Sequence, residues 1–414
     1  MRRNRIMSVV GLAIGDYKGI PKEAIYLVYA SFLPSLAMGM FYIDISYFLT
    51  TVQGLSDVLM GTIIMVMGIT AVATSIPLGV AADRYGRKRS LVIGNILASC
   101  SIVTFGLTTN YLILLVSAVV GGISQAAFNA AGGALLAEKA GDESRTSAFS
   151  LYSFANSSAS GLGSFMIPIM LGVKSLGLGI KNAHVMLYVS LGLLSLSSTY
   201  LMLKVSESKR PPGSKRRGVL SKRSMKMLAR YVVPSAIVAF GAGMFVPLMT
   251  RWLYLKYGAS DAVSGPILGT SSFLIGFASL TTPALARRFG IVKAIVLTQS
   301  MSTLFMLATP LSPNYLVASA TYIVRAFLMN MSSPLQQSLI MGLVAHDERG
   351  AASGISAALW RLPNSLSTRI GAALMGAGML AEPFYFATVL YMVSITIFWL
   401  AFRKMKLQSS LSDY

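Results

Sequence analysis

The chain has 414 residues, of which 54% are hydrophobic and only 12% charged, against about 25% charged in soluble domains. So few charges cannot coat a soluble surface, and so much apolar matter exceeds one core, which excludes a soluble globular domain. A formal net charge of +21 would suggest nucleic acid elsewhere, but here it gathers in short loops between apolar runs, so no nucleic-acid partner is expected.

In chain order, residues 1–23 read as a cytosolic or interfacial lead-in, since no small-residue cleavage site follows the basic start. Apolar runs long enough to cross a bilayer follow near 24–48, 58–81, 90–109, 111–137, 146–173 and 183–205. A basic stretch, 206–228, carries Pro211, Pro212 and Gly213 and reads as a cytosolic linker. Its charge suits either anionic lipid headgroups or a solvated loop. A second set of runs lies near 229–254, 262–285, 291–310, 313–340, 349–380 and 383–402, and residues 403–414 form a cytosolic tail. The expected fold is an all-α membrane protein of 12 transmembrane helices in two six-helix bundles, 24–205 and 229–402. The single Cys100 and the two histidines, His184 and His346, which fall near loop ends, suggest no metal and no cofactor.

Lysine and arginine fix the expected orientation. With the N-terminus inside, 28 fall in cytosolic segments and four outside, namely Lys174, Lys181, Arg251 and Lys256. That bias places both termini in the cytosol of a multi-pass plasma-membrane protein.

The two halves repeat at a fixed offset of 204 residues. Gly39-Met40-Phe41 matches Gly243-Met244-Phe245, and Gly54-Leu55-Ser56-Asp57 matches Gly258-Ala259-Ser260-Asp261. Arg84-Tyr85-Gly86 matches Arg288-Phe289-Gly290, Asn110-Tyr111-Leu112 matches Asn314-Tyr315-Leu316, and Arg145 falls on Arg349. Repeats of this parity are related by an axis along the membrane normal and place a substrate path between them.

Between the second and third runs stands Gly79-Val-Ala-Ala-Asp83-Arg84-Tyr-Gly86-Arg87-Lys88, with a degenerate copy at Ala286-Arg287-Arg288-Phe289-Gly290. This resembles the loop motif of the major facilitator superfamily, and the resemblance extends over the whole chain through span count and repeat. It implies a cytosolic gate in which Asp83 docks on the start of the eleventh helix in the outward-open state. Gly79 would permit a close helix approach and Gly86 a tight turn. Glu138 and Arg145 would complete the charge network. Two departures stand out: Gly121-Gly122 replace the arginine many proton-coupled members carry. The fifth-helix antiporter motif is also incomplete, with Ser160-Gly161-Leu-Gly163 followed by no proline before Pro168.

The charges inside the spans do not repeat. Arg325 falls on Gly121, Arg361 on Ser157, Arg369 on Phe165 and Asp44 on Leu248. A buried arginine costs about 2.5–3.5 kcal/mol on insertion scales, so each should face water, a partner or a substrate. Arg361, Ser365 and Arg369 share one face of a helix that Pro363 should bend. Together with Arg325 they form a candidate binding surface for an organic anion, or else pair with backbone carbonyls or Asp44. Asp44, an acid well inside a span, is the candidate proton-coupling residue, or a fixed ion-pair partner.

The expected function is therefore secondary active transport, driven by an ion in the form of proton coupling, moving a small solute by alternating access through a monomer. Export of amphipathic compounds is the alternative within that class, suited to 24 methionines. A non-transporting receptor of the same fold and a membrane-embedded lipid enzyme are the alternatives outside it. The chain shows no catalytic cluster or phosphate-binding loop that would make it an enzyme.

Overall fold

The computed structural model describes residues 19–172, 177, 179–207, 221–333, 335–336, 339–340, 344 and 349–403. Most of the expected N-terminal lead-in, most of the linker, nearly all of the tail and His346 lie outside the described residues. Every regular element among those described is helical. They are α1 (Lys22–Tyr47), α2 (Asp57–Tyr85), α3 (Arg87–Leu107), α4 (Tyr111–Gly172), α5 (Ile180–Ser197) and the short α6 (Thr199–Leu203). Then come α7 (Lys222–Gly243), α8 (Met249–Tyr257), α9 (Asp261–Phe289), α10 (Ile291–Ala308), α11 (Tyr315–Met331), α12 (Arg349–Gly376) and α13 (Glu382–Phe402).

Eight stretches among the described residues are long and apolar enough to cross a membrane. Large apolar side chains such as Val116, Leu193, Leu304, Val389 and Leu400 stand exposed in mid-helix, as a lipid-facing surface requires. The expected break between the fourth and fifth runs appears as a kink inside α4 at Gly141, whose φ of 69° interrupts the helix. Asn110 and Asn314, matched in the repeat, both cap helices: their Oδ1 atoms accept from Leu112 and Val317 amides at 3.0 Å. Such caps contribute about 1 kcal/mol each.

The chain divides into two compact units, and they are not contiguous in sequence. Unit 1 holds Met1–Gly54, Val66–Arg210 and Asp261–Ser272; unit 2 holds Leu55–Met65, Pro211–Ser260 and Phe273–Tyr414. The first turns of α2 thus group with unit 2 and those of α9 with unit 1. The cause is close packing at matched glycines. A Cβ on Gly61 would stand 2.6 Å from Ala372 Cβ in unit 2, and one on Gly265 would stand 2.9 Å from Ile167 Cδ1 in unit 1.

Within unit 1, α1 packs along α4, while α3 packs on α4 and α5. Its inner apolar cluster includes Leu27, Leu91, Leu135 and Met202. Within unit 2, α7 packs on α12 and α13, and α10 on α11 and α13, around Leu228, Ile295, Leu339 and Phe398. The repeat reaches the crossings themselves. Gly39 abuts the Ser160 backbone, and its counterpart Gly243 abuts Asn364, the counterpart of Ser160.

Candidate functional site

Asp44 lies near the end of α1, four residues before a π-helical turn, Phe48–Val52. Such turns recur at functional positions. Asp44 has no exposed surface, and its Oδ2 accepts from the Tyr188 hydroxyl at 3.0 Å. No described residue bonds to its buried Oδ1. Tyr188 and His184 stand one turn apart on α5, and the Phe48 ring stacks on both, at centroid distances of 4.5 and 5.3 Å.

His184 joins a second acid to this cluster. Its Nε2 stands 2.7 Å from Oδ2 of Asp261, the first residue of α9, and its Nδ1 stands 2.8 Å from the Ile180 carbonyl. Both ring nitrogens thus face acceptors, so Nδ1 donates to the carbonyl and a second hydrogen must lie between Nε2 and the Asp261 carboxylate. The pair is either imidazolium–carboxylate or imidazole–carboxylic acid. One ligating atom each of Asp44, His184 and Asp261 lies within 4.8 Å of the others, and all three residues are buried. Two carboxylates, an imidazole and a phenol sharing one apolar site can hold or pass a cation as small as a proton. All four residues belong to unit 1.

Asp44 stands out in the sequence as a charge inside a span, whereas His184, near a loop end, carries no expected role. The structure places His184 in the first turns of α5 with no exposed surface. Asp261 entered only as a landmark of the repeat.

In unit 2, Arg325 on α11 is 4% exposed. Its Nη2 donates to the Tyr391 hydroxyl at 2.6 Å, and the guanidinium carbon lies 4.9 Å from the Phe245 ring centroid. Its Nε is buried, and no described residue bonds to it. The backbone carbonyl of Arg325 accepts from Ser302 of α10 at 3.0 Å. Along α12, Arg361 is half-buried, Ser365 is buried and Arg369 is exposed. Ser365 donates to the Arg361 carbonyl at 2.9 Å, so its hydroxyl serves its own helix. Pro363 lies within the helical run of α12.

At the other end of unit 1, Arg87 donates to Glu138 at 3.1 Å. The Lys88 amide donates to Glu207 Oε1 at 3.2 Å, and the Lys88 ammonium to the Leu203 carbonyl at 2.7 Å. Gly86 adopts a φ of 115°, and a Cβ there would stand 2.6 Å from Glu207. Its counterpart Gly290 also has a positive φ, 75°. Arg84 lies over the ring of Tyr85. The side chains of Asp83 and Arg145 lie outside those described. A Cβ on Gly79 would meet no atom within 4 Å, so the close approach expected there is not made in this structure.

The comparisons with known proteins bear on the whole chain. Residues 27–368 match the model of the Major Facilitator Superfamily. Multidrug resistance protein 1 of Bacillus subtilis is 26% identical over 366 residues, covering 84% of this chain and 88% of the relative. An uncharacterized membrane protein of Saccharomyces cerevisiae, YJR124C, is 23% identical over 319 residues, covering 64% of this chain and 70% of its own length. Among solved structures, the nucleoside transporter NupG superposes with a TM-score of 0.72 at 14% identity, covering 93% of this chain and all of the other. An inward-facing, occupied bacterial homologue of the human lysosomal transporter Spinster gives 0.74 at 15% identity, over 92% and 96% of the two chains. With the loop motif, the helical fold and a family model spanning most of the sequence in agreement, the chain belongs to the Major Facilitator Superfamily, as a multi-pass membrane protein and secondary transporter rather than an enzyme.

Proposed function

We propose that this transporter carries a small organic anion, driven by protons, through twelve spans in two six-helix bundles with both termini in the cytosol. The observation that carries the anion is Arg325. A guanidinium held in the membrane without a carboxylate within 4.0 Å among the described residues is an uncompensated charge, and its buried Nε still lacks an acceptor. A substrate carboxylate offers both the charge and the acceptor, in the planar geometry that arginine favours. Arg361 and Arg369 supply further contacts along the path. Asp44, beside His184 and Asp261, holds the coupling proton. Residues 79–88 with Glu138 and Arg145 form the cytosolic gate.

The test is uptake into proteoliposomes with an imposed proton gradient, across a panel of organic anions. Arg325→Gln should remove anion transport while leaving the protein folded. Retention of anion transport in that variant would sink the reading.

A second reading, export of amphipathic compounds, draws on the likeness to a multidrug resistance protein. It predicts transport of lipophilic cations that is indifferent to Arg325→Gln, so the same experiment separates the two.

A further inference from the structure

Unit 2 contains a cavity of about 140 Å³ whose lining includes Tyr231, Gln299, Asn330, Gln336, Trp360 and Phe398. No charged side chain lines it. Three amides and three aromatic rings surround a space that suits an uncharged, flat body with hydrogen-bonding edges. Several of the polar groups are already oriented. The Tyr231 hydroxyl donates to Gln336 Oε1 at 2.9 Å, Gln336 Nε2 donates to Ser332 at 2.8 Å, and Asn330 Nδ2 donates to the Ala326 carbonyl at 2.8 Å. Gln299, 7% exposed, lines the same cavity. An amide at a cavity wall offers both a donor and an acceptor to a ligand group or water.

The volume limits what fits. An engineered apolar cavity of about 150 Å³ in another protein takes one benzene ring, so a space of this volume suits a single six-membered ring.

Its position relates it to Arg325. Three helices that line the cavity also build the guanidinium site. On α10, Gln299 lines the cavity and Ser302 bonds to the Arg325 carbonyl. On α11, Met329 lines the cavity one turn beyond Arg325 itself. On α13, Ser394 lines it one turn beyond Tyr391, which bonds to the guanidinium. One helical turn is about 5.4 Å, roughly the reach of a ring carboxylate past its ring plus one hydrogen bond. An uncharged cavity and a buried cation thus lie in series along the same helices.

We infer that unit 2 recognises a monocyclic aromatic or heteroaromatic monocarboxylate, its ring in this cavity among Trp360, Tyr231 and Gln299 and its carboxylate at Arg325. The inference rests on the anion reading of Arg325 and adds the size and chemistry of the rest of the substrate.

The test uses the purified full chain and its tryptophan fluorescence, since Trp360 lines the cavity. Nicotinate should quench the emission saturably, and Trp360→Phe should abolish the quench. Ser235→Leu, which fills the cavity, and Arg325→Gln should each weaken nicotinate at least tenfold. Nicotinamide, which lacks the charge, acetate, which lacks the ring, and 2-naphthoate, which is too large, should all bind at least tenfold more weakly. If Ser235→Leu lowers the melting midpoint, Gln299→Leu serves as the second probe, being close in volume. Nicotinate binding that ignores both cavity variants, or 2-naphthoate binding as well as nicotinate, overturns the proposal. If no ring acid binds while aliphatic organic anions are still carried in an Arg325-dependent way, the proposal falls and the anion reading stands. Equal binding of nicotinate and nicotinamide, unchanged in Arg325→Gln, overturns both.

Discussion

Asp57 and Asp261 occupy the same position in the two halves of the repeat, 204 residues apart, and hold different basic partners. Each is the first residue of a long helix, where a carboxylate also favours the positive end of the helix dipole. Asp57 pairs in unit 2 with Arg251 through two bonds, Nε to Oδ1 at 2.7 Å and Nη2 to Oδ2 at 2.9 Å. Asp261 pairs in unit 1 with His184 at 2.7 Å. Arginine keeps its charge at every working pH, whereas histidine exchanges a proton. One end of the repeat therefore carries a permanent clasp and the other a clasp that depends on protonation.

This asymmetry is measurable. Asp57→Asn leaves Arg251 without its bidentate partner, and breaking a fully buried pair costs about 3–5 kcal/mol, an upper bound for this slightly exposed one. The loss in melting midpoint should be the same at pH 5.5 and pH 8. His184→Gln should instead show a loss that changes with pH, because the imidazole it removes can exchange a proton and an amide cannot. Two variants with identical pH behaviour would remove the distinction between the clasps.

Asp44 gives a second prediction. Its Oδ2 is bound by Tyr188 and its Oδ1 is free of any described partner, so an amide fits the space but cannot carry an exchangeable charge. Asp44→Asn should abolish accumulation against a gradient and leave substrate exchange between the two faces of a vesicle intact. Tyr188→Phe should weaken coupling in the same direction but less, since it only orients the carboxylate. Gradient-driven accumulation that survives in Asp44→Asn would rule out this acid as the coupling residue.

Much of the fold was legible because its determinants are local or repeated. Apolar runs of bilayer length mark the helices, Asn110 and Asn314 mark their starts, and the pairing of Gly39 with Gly243 marks the crossings. The site was only half legible. Asp44 and Arg325 announce themselves as charges where charges are costly. His184 and Asp261 do not, because each lies near a helix end, where polar residues are ordinary. Only the tertiary packing that carries the start of α9 into unit 1 brings them to Asp44. Asp261 did leave a trace in the repeat, but a matched residue reads as scaffold until its partner is known. Contacts at Gly61 and Gly265 are likewise not encoded in any local pattern.

The glycines of the repeat and of the loop motif separate packing from gating. Gly39 and Gly243 abut backbone atoms of Ser160 and Asn364, and backbone cannot give way as a side-chain tip can. Gly39→Val and Gly243→Val should each cost at least about 1–3 kcal/mol through overpacking, read as a lower melting midpoint and poorer recovery of folded protein. Gly79 meets nothing within 4 Å and sits inside α2, where alanine is favoured over glycine by roughly 0.5–1 kcal/mol. Gly79→Ala should therefore leave the melting midpoint unchanged or slightly raised. Transport then decides the role of Gly79 in the motif. If another helix closes on it elsewhere in the transport cycle, Gly79→Leu should slow turnover while the protein melts as before. Turnover equal to that of the parent chain would remove Gly79 from the gate and leave Gly86, whose positive φ and proximity to Glu207 are already present, as the glycine the motif requires.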